Sequence, residues 1–195
     1  MMSVESDVLL VFLGIISFFY SIPFITINGQ KFGIRNIPGL KQFLIVFVWT
    51  VSCVFIPILE AQHLQLKSIS VKETLVFVAA RFLFFGALTV PFDIRDLFED
   101  KLTGVKTIPV IWGEKNAYLV CQILLACYIL LLVIFSESQF NSNFWALSFT
   151  AILTGWLLFK AKWEKNEYYY FFFVDGVLIV QYAALIVFDK VGGFL

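Results

Sequence analysis

Leu75-Val-Phe-Val-Ala-Ala-Arg81-Phe-Leu-Phe-Phe-Gly-Ala-Leu-Thr-Val-Pro91-Phe92-Asp93-Ile-Arg95-Asp96-Leu-Phe-Glu99-Asp100-Lys101-Leu-Thr-Gly104 passes from an apolar run directly into a concentrated group of charges. The apolar part, Leu75–Phe92, approaches the ~20 residues that a helix needs to cross a bilayer. Comparable runs at Val8–Phe24, Phe43–Leu59, Ala117–Phe135, Phe144–Phe159 and Phe171–Phe188 bring the predicted spans to six. A mean hydropathy of +0.91, with 24 Phe, 5 Trp and 7 Tyr in 195 residues, lies far outside the composition of a soluble domain. The predicted fold class is therefore all-α, a polytopic transmembrane helix bundle of about six spans. Residues 1–195 read as a single membrane domain, with no internal repeat or linker to mark a second.

Working outward, the basic residues set the orientation. Lys31, Arg35 and Lys41 follow the first run, Arg95, Lys101, Lys106 and Lys115 the third, and Lys160, Lys162 and Lys165 the fifth, whereas the other side has Lys67, Lys72 and Lys190. Cytoplasmic loops are enriched in Lys and Arg, so the aspartate-rich loop is predicted to face the cytoplasm with both termini outside. Met1–Asp7 carries no Lys or Arg and the first run leads to no small-residue cleavage site, which makes that run a retained span. The absence of a targeting segment and the compact loops point to a bacterial plasma (inner) membrane. A formal net charge of zero gives no hint of a nucleic-acid partner.

Several residues have plain readings. Trp49, Trp145, Trp156, Trp163 and the Tyr168–Phe173 run suit membrane interfaces, where amphipathic rings collect. Cys53, Cys121 and Cys127 lie in apolar runs without a CxxC pair and are predicted to be buried small hydrophobes, and His63 a solvated loop residue. Arg81 and Asp175 are ionisable groups within apolar runs, which makes each a functional candidate because burying a charge in lipid is costly. Arg81 is expected to snorkel outward, and Asp175 to line the mouth near the aspartate loop.

The charged segment carries the chemistry. In a continuous helix, with about 100° between successive residues, Asp93, Asp96 and Asp100 fall on one face. Like charges so close are unfavourable alone, and oxygen-only ligands point to Mg²⁺ as the cation that makes the arrangement favourable. Pro91 is expected to loosen or end the preceding helix, Gly104 to cap the aspartate helix, and Lys106 to turn back toward the carboxylates. Acids with nearby Lys and Arg suit a Mg²⁺-bound phosphate or diphosphate; an ordinary salt-bridged loop would carry the same charges.

The segment Asp93-Ile-Arg-Asp96-Leu-Phe-Glu-Asp100-Lys-Leu-Thr-Gly104-Val-Lys106-Thr107-Ile-Pro-Val, followed by Gly113-Glu-Lys, resembles the second aspartate-rich motif of the UbiA superfamily of intramembrane prenyltransferases. Tyr20-Ser21-Ile22-Pro23, with Lys31 and Arg35 downstream, is similar to the tyrosine-serine-proline element of that family and the basic residues after it. The resemblance implies transfer of a prenyl group from a prenyl diphosphate to an acceptor, often aromatic, inside a bundle that usually has nine helices. It implies Mg²⁺ as cofactor, Asp93, Asp96 and Asp100 as catalytic and metal residues, and Lys106, Lys31, Arg35 and Tyr20 as diphosphate contacts. Apolar and aromatic walls would shield the allylic cation left when diphosphate departs.

The first aspartate-rich motif of the family has no counterpart, since the only early acids are Glu5 and Asp7. The six spans are thus expected to match the last six of the nine, and the chain alone to be weakly active or inactive. The alternatives are a non-catalytic membrane protein that binds an isoprenoid lipid or a partner, and a small transporter or channel subunit using Arg81 and Asp175.

Overall fold

The computed structural model describes residues 2–27, 30–34, 37, 39–66, 68–136, 140–161 and 167–192. Six of its helical segments are long and apolar enough to span a membrane. They are α1 (Val4–Ser21), α2 (Leu40–His63), α3 (Val71–Arg95), α6 (Glu114–Phe135), α7 (Ser142–Ala161) and the span Phe172–Lys190, formed by a π-helical turn (Tyr170–Val174) and α9 (Gly176–Gly192). Short helices α4 (Leu97–Thr103) and α5 (Ile108–Trp112) follow α3, and one turn, α8 (Glu167–Tyr169), precedes the π turn. The protein is an integral multi-pass membrane protein.

The first predicted run is corrected at its end. Pro23 cannot extend α1, and Pro23–Ile27 (β1) pairs antiparallel with Gln30–Gly33 (β2), Thr26 opposite Lys31 and Ile27 opposite Gln30. The sequence holds the signal for this hairpin in the β-branched Ile25-Thr26-Ile27 followed by Asn28-Gly29.

Each long helix packs on the next: α1 on α2, α2 on α3, α3 on α6, α6 on α7 and α7 on α9. Ala87 of α3 and Ala117 and Cys121 of α6 have no exposed surface, and these small side chains let the two backbones approach in an environment without a hydrophobic drive between helices. Phe84 fills the next layer against Tyr128, ring centroids 5.4 Å apart. On α7, the Gly155 carbonyl accepts from Gln122 Nε2 at 2.9 Å, and a Cβ at residue 155 would meet Gln122 Oε1 at 3.0 Å, so glycine is what admits the bond.

Caps fix the ends. Ser70 and Glu73 form a reciprocal capping box at the start of α3, with bonds of 3.2 and 2.8 Å. Ser3 caps α1 by accepting from Ser6 N, and its own N and Oγ donate to Glu60 Oε1 at 2.9 and 3.0 Å, tying α1 to α2.

The surface corrects some plain readings. Cys121 is buried, but Cys53 and Cys127 are exposed on the surface of the bundle. Trp145 and Trp156 are exposed toward the ends of α7, whereas Trp49 sits nine residues into α2 against Phe85, deeper than a belt position. His63 is the exposed last residue of α2. Trp163, Lys67, Lys162 and Lys165 lie outside the described residues.

Candidate functional site

The end of the bundle where α3 gives way to α4 carries the aspartates. Pro91 does not end α3: the proline lies buried inside a helix that continues to Arg95. The break comes at Asp96, whose φ of −85° and ψ of 7° leave the helical region. Three carboxylates on one continuous helical face therefore do not form. Asp93 stays on α3, Asp100 is carried on α4, and both reach one cation from a third helix.

That cation is Lys41, in the first turn of α2. Its Nζ lies 3.0 Å from Asp93 Oδ1 and 3.2 and 3.1 Å from the two oxygens of Asp100. All three residues are buried, at 8% exposure for Lys41, 4% for Asp93 and 5% for Asp100. One ammonium against two carboxylates leaves the cluster with a net charge of −1. Buried charges persist only when paired and hydrogen-bonded, and here one oxygen is not: Asp93 Oδ2 is buried without a partner, as is the hydroxyl of Thr107 at the start of α5.

Asp96 sits at the rim, partly exposed, gripped by Arg95 through Nε at 2.8 Å and Nη2 at 3.3 Å. The Arg95 guanidinium in turn lies over the Phe92 ring, 5.3 Å from its centre. Gly104 closes α4 in the left-handed conformation, φ 72°, as its sequence position predicts. Val105 N then bonds back to Asp100 O at 2.9 Å, burying Val105 and fixing the carbonyl of the same residue whose carboxylate meets Lys41. The Lys106 side chain is exposed, and its carbonyl accepts from Gly39 N at 3.3 Å, which joins the approach to α2 to the aspartate segment. Tyr20 is partly buried in the last turn of α1; Lys31 lies in β2; Arg35 is outside the described residues.

Phe92, next to Asp93 in the chain, belongs to an aromatic group. The π turn buries Tyr170, whose hydroxyl is 3.5 Å from that of Tyr118 and whose ring is 6.2 Å from Phe92. Tyr169, also buried, donates to Leu157 O at 2.8 Å. The aromatic run at 168–173 is thus partly interior, not purely interfacial. Asp175 follows the π turn, exposed and within electrostatic reach of Arg95.

Lys41 and Tyr170 escape a reading of the sequence because each lies far along the chain from the aspartates, and Tyr118 because it sits within an apolar helical run. Only the position of Lys41 in the first turn of an apolar helix hinted at an inward ammonium.

The donor set can be compared with what Mg²⁺ requires. Among the described residues no three His, Cys, Asp or Glu side chains gather closely enough to hold a metal by themselves. Mg²⁺ is, however, commonly held by one or two carboxylates with phosphate oxygens completing its shell. Asp93 Oδ2, without a partner, and the rim carboxylate of Asp96, held by Arg95, are the carboxylate oxygens at this end that such a set would draw on.

The model of the UbiA prenyltransferase family matches residues 2–174. No curated protein and no solved structure matches the chain.

Proposed function

The chain belongs to the UbiA prenyltransferase family, and from that premise we propose that its aspartate end binds the diphosphate of a prenyl diphosphate, with Mg²⁺, for transfer of the prenyl group to an acceptor. The observation that carries this reading is the buried meeting of Asp93, Asp100 and Lys41 around an unpartnered carboxylate oxygen, at the one end of the bundle where acid and base are concentrated. Bound there, Mg²⁺ would supply Lewis-acid stabilisation of the departing diphosphate.

The protein residues divide the remaining work. Asp93 Oδ2 and Asp96 would hold the metal, while Asp100 keeps Lys41 in place. Lys106 and Lys31, with Arg35, would contact phosphate oxygens, and Tyr20 would border the same mouth. Phe92, Tyr118 and Tyr170 form an apolar and aromatic group that keeps water from the carbon losing its diphosphate. In this proposal the mouth faces the cytoplasm, in a bacterial inner membrane, and the six spans correspond to the last six of the family's nine.

The test uses the full chain in proteoliposomes with geranyl, farnesyl and geranylgeranyl diphosphate, reads Mg²⁺-dependent binding, and then adds a phenolic acceptor to read transfer of the prenyl group to it with release of diphosphate. Binding should be lost on chelation and fall at least tenfold in Asp93→Asn and Asp96→Ala. Binding without release would identify a lipid-binding relative in place of an enzyme. Binding that ignores both substitutions would place the diphosphate elsewhere.

A further inference from the structure

Halfway along the apolar helices lies a second polar cluster that the aspartate chemistry does not use. Arg81 stands ten residues from the start of α3 and fourteen from its end, which puts it near mid-depth, roughly 15 and 21 Å from the two ends at 1.5 Å per residue. It does not snorkel outward as the sequence suggests. Its Nη1 donates to Oε1 of Gln181 on α9, so the side chain reaches a helix other than its immediate neighbours α2 and α6. Since a guanidinium only donates, this contact fixes the amide: the carbonyl faces Arg81 and Nε2 points elsewhere. Gln181 is 3% exposed, and that Nε2 makes no hydrogen bond of normal length among the described residues, although the Tyr128 hydroxyl faces the same amide.

The inventory around the guanidinium is one-sided. Arg81 brings five N–H donors and Gln181 two, against the two lone pairs of the amide carbonyl, one of them taken by Arg81, and the hydroxyl of Tyr128. Tyr128, 1% exposed, and Cys53 lie within electrostatic reach of Arg81, and they offer a phenol and a thiol where a counter-ion would need a carboxylate. Arg81 forms no ion pair among the described residues, yet it is only partly buried, so part of its surface can be reached. Phe84, packed on Tyr128, and Phe85 make the surroundings apolar. A positive charge and a buried amide N–H left open in hydrocarbon lack the same thing: oxygen acceptors carrying negative charge.

We infer that Arg81 and Gln181 form a mid-membrane binding site for the carboxylate of an apolar molecule, the guanidinium taking the charge and Gln181 Nε2 a carboxylate oxygen. The site is separate from the aspartate end, because Arg81 precedes Asp93 by twelve residues, roughly 18 Å along the helix. The carboxylate is that of a fatty acid of the bilayer, whose tail the surrounding apolar helices accept.

The full chain in detergent is titrated with cis-parinaric acid, followed by its fluorescence, with the methyl ester of the same lipid as the uncharged control. The acid should bind at least tenfold tighter than the ester, and Arg81→Gln and Gln181→Leu should each remove most of that preference. Arg81→Lys, which keeps the charge and changes the fork, should retain part of it and guards against loss by misfolding. Asp93→Asn should leave it unchanged, which separates failure here from failure of the diphosphate reading. Equal binding of acid and ester, or an undiminished preference in both Arg81→Gln and Gln181→Leu, overturns the inference.

Discussion

Replacing Lys41 by Met tests the centre of the aspartate end, because it removes the ammonium and keeps most of the buried volume. Asp93 Oδ1 and Asp100 Oδ2 each lie about 3 Å from Nζ, so without it two carboxylates no more than about 6 Å apart face one another, a repulsion of about 3 kcal/mol at an effective dielectric of ~20. Breaking a buried pair by deleting one partner costs about 3–5 kcal/mol in the cases measured, which agrees with that figure. For a chain of this size the loss should lower the melting temperature by roughly 10 °C, read by tryptophan fluorescence in detergent. Lys41→Met combined with Asp100→Asn should recover about half of the loss, since one buried charge is then gone. The same substitution frees both carboxylates toward a metal, so Mn²⁺ affinity measured by electron paramagnetic resonance should rise about tenfold or more, equivalent to about 1.4 kcal/mol. A Lys41→Met protein that melts within 2 °C of the parent and binds Mn²⁺ no better would refute the bridging role.

Three smaller changes probe the elements that hold this end and its scaffold. Ser70→Ala removes one half of the capping box on α3 and should cost about 1 kcal/mol in thermal unfolding; no change would mean that the cap is frayed in the membrane. Gly104→Ala meets no atom within 4 Å, so its loss of about 1 kcal/mol should come from the left-handed backbone alone; Gly104→Asn, which tolerates that conformation better, should lose less. Gly155→Val places branches against Gln122 and should destabilise by about 1–3 kcal/mol, with Gln122→Ala relieving much of it; additive effects would deny the contact.

The membrane architecture was legible in the sequence because span length and hydropathy are local properties. All six apolar runs became spanning helices, and errors were confined to ends such as Ser21, where Pro23 and the β-branched Ile25-Thr26-Ile27 turn the chain into a hairpin. Gly104 was legible for the same local reason, a glycine after a helical segment taking φ 72°. The aspartate geometry was not, because one backbone angle at Asp96 decides whether three acids share a face, and no periodicity reveals it. Nor could periodicity find Lys41 or Gln181, each paired with a residue 52 or more positions away along the chain.

The two polar clusters show what a bundle in lipid does with charge. At the aspartate end the charges belong to the chain itself, Lys41 against Asp93 and Asp100, Arg95 against Asp96, and one carboxylate oxygen is left over. At mid-depth, among the described residues, a guanidinium has a neutral amide for a partner, and an amide N–H makes no hydrogen bond of normal length. Buried polar atoms without partners are costly wherever water is excluded, so a fold retains them where a ligand completes the set. The two leftovers have opposite character, an acceptor above and donors below, and therefore cannot serve the same chemical group. An anion held at Arg81 leaves the Asp93 oxygen open, and a cation or metal-bound phosphate at Asp93 leaves Gln181 open. Occupancy of the two sites should accordingly be separable by single substitutions at either end of the twelve-residue interval on α3.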